Sequence, residues 1–188
     1  SPKALFLKGD LLARQGGDQE SIRVFSALME QYPEHPLALE AALSGARLAY
    51  SIRDFARARE LAQWLVEHAD GATQAQILGD DGVHRKSSGK TLRDYGLWML
   101  AWITIRLGEP TQSADSLLAQ LDPDVAFGEA ALYWRARLLL YPKLHVLVPT
   151  QNLEQKRLAL EELAAFVTER PAGYYGHLAR LLLVHAGA

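Results

Sequence analysis

The sequence predicts an all-α protein in which antiparallel helical hairpins stack into a right-handed superhelix. Apolar residues recur at intervals of three and four through most of the chain, and no segment alternates with a period of two for long enough to predict a strand. Gly and Pro interrupt this pattern at short intervals, as expected where one helix turns back on another. The chain has 188 residues and is 49% hydrophobic, which suffices for a continuous core shared along such a stack.

Breaks in the apolar pattern define nine helices. The first and second are joined at Gly16-Gly17-Asp18, and the third and fourth at Arg53-Asp54, where Asp54 is expected to cap the fourth helix. The fifth and sixth flank Gly108-Glu109-Pro110, because proline readily starts a helix. The predicted helices cover about 2–15, 18–32, 36–52, 55–68, 92–107, 111–121, 127–140, 153–169 and 174–185.

Two connections are longer than the others. The segment 70–90 contains four glycines among Asp, Ser, Lys and Arg, which predicts a mobile basic loop with at most a short helix at 73–78. The segment 141–150 contains two prolines and is predicted to be irregular. We expect one helical repeat domain over 1–188, composed of two hairpins (1–69), the long loop (70–91) and further repeats (92–188).

The spacing of small residues in the hairpins matches a tetratricopeptide repeat. That repeat is about 34 residues long, with small residues where its two helices cross and a proline at its end. A lone hairpin cannot bury its apolar face, so such repeats stack into a continuous core. The matching positions are Gly9, Leu12, Ser21, Phe25, Leu28 and Pro33 in the first hairpin, Ala42, Ala46, Ala49, Ala58, Ala62 and Leu65 in the second, and Trp98, Ala101, Trp102, Ile105, Ala114 and Leu118 in the third.

Several motifs resemble those of a bacterial envelope family. The segment 25–36, with its Tyr-Pro and second proline, resembles tetratricopeptide segments of bacterial envelope proteins. Leu-Trp-Met-Leu-Ala-Trp (97–102), Ala-Leu-Tyr-Trp-Arg-Ala-Arg (131–137) and Tyr-Tyr-Gly-His-Leu-Ala (174–179) follow in the order found in the α-superhelical region of soluble lytic transglycosylases. This similarity is best over about 91–184. In that family the region precedes a lysozyme-like domain that cleaves peptidoglycan, and 1–188 contains no counterpart of that domain.

The resemblance implies a non-catalytic scaffold that positions a peptidoglycan-processing domain, its substrate or a partner, in the periplasm or cell envelope of a bacterium. The repeat pattern alone leaves an alternative, a free-standing adaptor that binds a protein or peptide on its concave face. The chain begins at Ser1 without an initiator Met or a signal peptide, so we expect it to be a fragment of a larger protein. In one possible arrangement of that protein, a catalytic domain follows downstream.

Composition argues against several other functions. Lys and Arg number 20 against 22 Asp and Glu, which leaves a formal charge of −2 and no net basic field for nucleic acid or anionic lipid. The absence of cysteine excludes disulfides and thiolate chemistry. The apolar runs are far shorter than the roughly 20 residues that span a bilayer. We therefore expect no nucleic-acid partner, no membrane insertion, no cofactor and no catalytic residue.

Three segments with chemically active residues are weak candidate sites. Consecutive helical residues such as Glu161-Glu162 point about 100° apart, which favours a solvated face over a glycosidase pair. Asp80-Asp81 and His84 would form an incomplete metal site. Gly89-Lys90-Thr91 is similar to the end of a phosphate-binding loop, but His84 stands where that motif needs its first glycine, and the sequence predicts no strand before it.

The large aromatic residues are the candidate contact surface. Trp98 and Trp102 lie four apart on one helix face, and Tyr174 and Tyr175 begin the last helix. Exposed on a concave wall, such rings stack on sugars or on a partner helix, whereas buried rings fill gaps between hairpins. We expect burial of Trp98 and Trp134, and exposure of one ring of Tyr174 or Tyr175.

The seventh helix contains two arginines that could face either solvent or the apolar neighbours of the helix. Arg135 and Arg137 are two residues apart and cannot share a helix face, so at most one should point towards the apolar neighbours. Both could face solvent. A buried arginine would instead need a carboxylate such as Glu129 or Glu162.

Overall fold

A computed structural model describes residues 1–69, 74–78, 84–121, 127–143 and 148–187, with the backbone alone for 74–78 and 84–90. It divides the chain into two compact units, Ser1–Ile103 and Thr104–Ala188. Nine helices and one two-stranded antiparallel sheet occur in the described residues. The prediction of an all-α architecture of helical hairpins is confirmed, with one short β-hairpin as an addition. The predicted single repeat domain stays a prediction.

The N-terminal unit is built from two helical hairpins that lie within one residue of their predicted bounds. They comprise α1 (Pro2–Arg14) with α2 (Asp18–Gln31), and α3 (Pro36–Ser51) with α4 (Phe55–His68). The Asp54 carboxylate caps α4 as predicted, accepting the backbone N–H of Arg57 at 3.1 Å. The next helix, α5 (Gly89–Arg106), begins at Gly89 rather than at 92, and its residues up to Ile103 belong to this unit.

Small residues lie at the close helix crossings of this unit. The Ser21 hydroxyl donates to the Gly9 carbonyl at 2.7 Å, and a Cβ at Gly9 would lie 2.5 Å from the Phe25 ring. Ala46 and Ala58, at crossings predicted from the repeat, are both 0% exposed. The register of the first two hairpins therefore agrees with the small-residue pattern of the sequence.

A β-hairpin lies within the predicted long loop. Strands β1 (Gln74–Leu78) and β2 (His84–Ser88) pair antiparallel, and β1 lies against α3. The predicted short helix at 73–78 is wrong, because five-residue strands are too short for a clear period of two and are specified by pairing. Strand β2 does precede Gly89, contrary to expectation, but the glycine spacing of a phosphate-binding loop is still absent. Asp80-Asp81 and the His84 side chain lie outside what the structure describes.

The C-terminal unit packs its helices around aromatic and aliphatic side chains. Its helices are α6 (Thr111–Leu118), α7 (Gly128–Leu140), α8 (Leu153–Glu169) and α9 (Tyr174–Ala186). Helix α7 packs against α6, α8 and α9, and α8 also packs against α9. The described part of 141–150 is irregular, as predicted, and 144–147 lies outside it. The buried core residues are Tyr133, Ala136, Leu140, Tyr141, Ala159, Leu163, Phe166, Ala179 and Leu182.

Among the residues that the structure describes, no helix is both long and apolar enough to cross a bilayer.

Candidate functional site

Four aromatic rings from α7 and α9 form a contiguous group, which we call the aromatic cluster: Tyr133, Trp134, Tyr174 and Tyr175. The centroids of Tyr133 and Tyr175 are 5.5 Å apart, and Tyr174 meets Tyr175 edge-on at 5.2 Å. Trp134 meets Tyr133 edge-on at 5.4 Å. These are the separations and angles at which aromatic pairs attract. Two motifs that are 40 residues apart in the sequence, at 134 and 174, therefore form one surface.

The aromatic cluster runs from the core to the solvent. Tyr133 is 6% exposed, Trp134 and Tyr175 are half-buried, and Tyr174 is 73% exposed. Burial raises the pKa of Tyr133 and of Tyr175 above 10.0. The Trp134 indole N–H donates to the Tyr175 hydroxyl and partly offsets that rise in pKa. Tyr174 is thus the exposed end of a row of contacting rings.

The turn before α9 makes several contacts with the helices on either side of it. A Cβ at Gly176 would collide with the Arg170 carbonyl oxygen, so the turn and α9 are in direct backbone contact. The Arg180 guanidinium donates to the Pro171 carbonyl from the next turn of the helix. Glu129 of α7 lies 3.6 Å from the Arg170 guanidinium. These contacts join the turn to α7 and α9, and they position the backbone at the start of α9, where Tyr174 lies.

The sequence prediction for the tyrosines agrees with the structure, since Tyr174 is the exposed ring of the pair. The prediction for the tryptophans agrees in part, because Trp98 and Trp134 are half-buried rather than buried. Trp98 and Trp102 lie in the N-terminal unit and meet edge-on at 5.7 Å. Contact of Trp98, Trp102, Tyr174 or Tyr175 with a partner or a glycan stays a prediction.

Arg137 is the buried arginine, with 5% of its surface exposed. Its Nη1 donates to the Tyr141 carbonyl at 2.7 Å, and its guanidinium carbon lies 4.9 Å from the centre of the Tyr141 ring. Burial lowers the pKa of Arg137 and raises that of Tyr141. The sequence left solvent exposure or a carboxylate partner open for this arginine, whereas a backbone carbonyl and a ring face accommodate its buried guanidinium.

Arg135 and Arg137 point in different directions, as their spacing predicts. Nε of Arg135 donates to an Asp115 carboxylate oxygen of α6 at 2.8 Å, so its bonded acid is Asp115 rather than Glu129 or Glu162. The pKa of Glu162 is raised, first by desolvation and then by the Asp115 charge, while Arg135 opposes the rise. Glu162 nevertheless lies at the surface, as its helical position predicts.

A small cavity lies beside this ion pair. Its volume is about 130 Å³, well below the roughly 300 Å³ at which small-molecule sites begin. In the described part of the chain, no three His, Asp or Glu side chains are placed to share a metal ion. The residues that line the cavity are Thr111, Gln112, Asp115, Leu138, Leu139, Pro142 and Gln155.

The fold is similar to that of solved tetratricopeptide-like repeat proteins. One is a kinesin light chain-like protein of Podospora anserina with nearly identical repeats, at 16% identity and a TM-score of 0.60 over 98% of this chain and 84% of that chain. A second structure of that protein gives the same identity and TM-score over 99% of this chain and 86% of the other. The sequence matches no described family and no curated protein.

At this identity the likeness shows the fold alone, and it confirms the tetratricopeptide-like helical repeat predicted from the sequence. The same comparisons give no support to the resemblance to lytic transglycosylases. That resemblance rests on the order of three motifs and stays a prediction.

Proposed function

We propose that this chain is a non-catalytic repeat adaptor that binds a partner protein or peptide through the aromatic cluster. The exposed Tyr174 ring, in edge-on contact with Tyr175, carries the proposal. Aromatic side chains that are held in one geometry contribute large contact areas at low entropic cost, and they are enriched among the residues that dominate binding energy. Helical repeats commonly serve as such binding surfaces.

The experiment is affinity capture from an extract of the source cells, followed by binding measurements on the captured protein. We expect Tyr174→Ala to lose most of the captured partner, because the ring that it removes is the exposed end of the aromatic cluster. Leu153→Ala is the matched control, since Leu153 is an equally accessible apolar residue at 82% exposure on α8 of the same unit. Equal capture by wild type and Tyr174→Ala, at unchanged helicity, would contradict the proposal.

A finer proposal places this adaptor in the bacterial cell envelope, as the helical scaffold of a lytic transglycosylase-like protein. The order of the motifs at 97–102, 131–137 and 174–179 supports it. In that case the bound partner is a peptidoglycan-processing domain, or peptidoglycan through such a domain, and the compartment is the periplasm.

Incubation of the purified chain with peptidoglycan tests the scaffold role. We expect no released muropeptides from the chain alone, and a catalytic domain encoded immediately downstream would support the envelope assignment. Muropeptide release by this chain would overturn its description as non-catalytic.

A further inference from the structure

The cavity beside the Arg135–Asp115 ion pair lies between α6, α7 and the start of α8, inside the C-terminal unit. Its volume is about 130 Å³, and two of its lining residues, Gln112 and Pro142, are exposed, so it opens to solvent. An enclosed space of about 150 Å³ holds a benzene ring, so this cavity has room for about six heavy atoms. That is enough for the end of one protein side chain.

The lining of the cavity contains a carboxylate among neutral polar groups. Asp115 supplies the carboxylate, while Thr111, Gln112 and Gln155 supply a hydroxyl and two amides. The Thr150 hydroxyl donates to Oε1 of Gln155 at 3.3 Å, which orients that amide. Among the described residues that line the cavity, Asp115 is the one with a charge. The lining therefore favours a positively charged occupant over a negatively charged one.

The charged groups next to the cavity have a net negative charge. Asp115 pairs with Arg135 through one carboxylate oxygen, Oδ1, at 2.8 Å. Glu162 of α8 lies close enough for both charges to act on its pKa: burial raises this pKa, the Arg135 charge lowers it and the Asp115 charge raises it. Two carboxylates thus flank one guanidinium, and a single carboxylate can accept about four hydrogen bonds. The group therefore has acceptors left for a second cation.

The apolar part of the lining matches the stem of a basic side chain. It consists of Leu138, Leu139 and Pro142. Lys and Arg bury their methylene stems along apolar surface while the charged head reaches a polar group. An apolar side chain would remove water from the Asp115 carboxylate without giving it a hydrogen bond, which costs free energy. An acidic side chain would be repelled by the same carboxylate.

Two nearby features favour an anion instead, and they define the competing occupant. Thr111 and Gln112 lie in the first turn of α6, where the helix dipole favours negative charge, and the exposed Lys143 follows Pro142. The dipole effect is modest at an exposed helix end, and Lys143 is not among the lining residues. Asp115 contacts the cavity directly, and a hydrogen bond between two charged groups is stronger than either effect.

We propose that this cavity binds the end of a Lys or Arg side chain of the partner protein, with its charged head at Asp115 and its stem on Leu138, Leu139 and Pro142. This inference rests on the proposed adaptor function for the identity of the occupant, and it adds a basic anchor residue to the description of the partner. The cavity and the aromatic cluster have no residue in common, so the two can be tested separately.

Three small molecules of similar size and different charge test the proposal on the full chain. Butylguanidinium has the head and stem of arginine, butylurea is its neutral isostere, and pentanoate is an anion. NMR titration follows the side-chain amide signals of Gln112 and Gln155, which line the cavity. We expect butylguanidinium to bind at least about tenfold more tightly than butylurea at low salt, because its hydrogen bonds are charge-assisted. Equal binding of these two, no binding of butylguanidinium, or tighter binding of pentanoate overturns the proposal.

Two neighbouring glutamates of α8 give a matched pair of variants. Glu162 interacts with the Arg135–Asp115 pair, whereas Glu161 contacts the Arg157 guanidinium at 2.6 Å. We expect Glu162→Gln to weaken butylguanidinium about threefold or more, since one nearby negative charge is lost, and Glu161→Gln to leave its affinity unchanged. Both glutamates are exposed, so both variants should keep wild-type helicity. Equal weakening by the two variants would assign the effect to overall charge and overturn the assignment to the cavity.

Asp115→Asn tests the carboxylate that the proposal places at the charged head. The substitution keeps the shape of the side chain and removes its charge. We expect the preference for butylguanidinium over butylurea to fall below about threefold, because the charge-assisted hydrogen bond is lost. An unchanged preference in a folded variant overturns the proposal.

Capture of the native partner distinguishes a failure of this proposal from a failure of the adaptor function. If Tyr174→Ala abolishes capture while Asp115→Asn binds the partner as tightly as the wild type, the adaptor function stands and the cavity proposal fails. If butylguanidinium binds as expected and Asp115→Asn weakens the partner while Tyr174→Ala does not, the cavity proposal stands and the aromatic cluster is not the contact.

Discussion

The two units close their helix crossings with different side chains. In the N-terminal unit, alanines such as Ala46 and Ala58 are fully buried, and the helices meet at close range. In the C-terminal unit, rings such as Tyr133, Tyr141 and Phe166 fill the space between helices. Alanine side chains at a helix crossing lie entirely inside the core, whereas a row of aromatic rings extends from the core to the surface. The candidate contact surface therefore belongs to the unit that packs with aromatic residues.

Glycine substitutions should give the largest effect, and they should differ between the units. A Cβ at Gly176 would strike the Arg170 backbone carbonyl, whereas a Cβ at Gly9 would strike the Phe25 ring. A ring can tilt at a moderate cost, but the turn that carries Arg170 is fixed by its own contacts. We expect Gly176→Ala to lower the free energy of unfolding by about 3 kcal/mol, and Gly9→Ala by about 1 to 2 kcal/mol.

Urea denaturation of the two alanine variants measures this difference. Equal losses would mean that the turn before α9 moves as readily as a side chain, so that its contacts do not fix the start of α9. A larger loss at Gly9 would contradict the expectation more directly.

The two arginines of α7 give the next largest contrast. Arg137 is buried, bonded to a carbonyl and stacked on the Tyr141 ring, while both side chains of the Arg135–Asp115 pair are 28% exposed. Lysine keeps the charge but loses the planar fork and the stacking. We expect Arg137→Lys to lower the free energy of unfolding by about 1 to 3 kcal/mol, and Arg135→Lys by less than about 1 kcal/mol.

Thermal or urea unfolding of the two lysine variants compares these costs directly. Tyr141→Phe serves as a control, since it keeps a ring under Arg137 and leaves the carbonyl contact in place. If Arg137→Lys is as mild as Arg135→Lys, the guanidinium contributes its charge alone, and the observed stacking has no energetic weight.

Sequence periodicity predicted the helices because their signals are local. The α4 cap at Asp54 and the bounds of α8, Leu153–Glu169, follow from residues within one or two turns. The hairpin of β1 and β2 was missed because each strand is stabilised by the other across a connection, and five residues give little periodicity. Contacts between elements have no local signal, so the Asp115 partner of Arg135 could not be assigned.

The candidate site was predictable for two of its four residues but not in its arrangement. The sequence singled out Tyr174 and Tyr175 as possible contacts and placed one exposed ring there, since aromatic residues at the start of a helix can face either way. It did not bring Trp134 and Tyr175 together, because that contact depends on how α7 and α9 pack.

The smallest expected effect is a difference in the free energy of unfolding between the wild type and a tyrosine variant at alkaline pH. Burial raises the pKa values of Tyr133 and Tyr141 above 10.0, so the folded chain holds these phenolic protons more tightly than the unfolded chain does. Their contribution to stability is therefore complete below the unfolded pKa and is lost as the pH rises through the folded pKa. We expect the free energy of unfolding of the wild type to fall more steeply above pH 10 than that of a variant with Tyr133→Phe and Tyr141→Phe together. The measurement compares the slopes of the free energy of unfolding against pH, because absolute stabilities would also include the cost of the lost hydroxyls. Equal slopes would mean that these two rings ionise as freely in the folded chain as in the unfolded one.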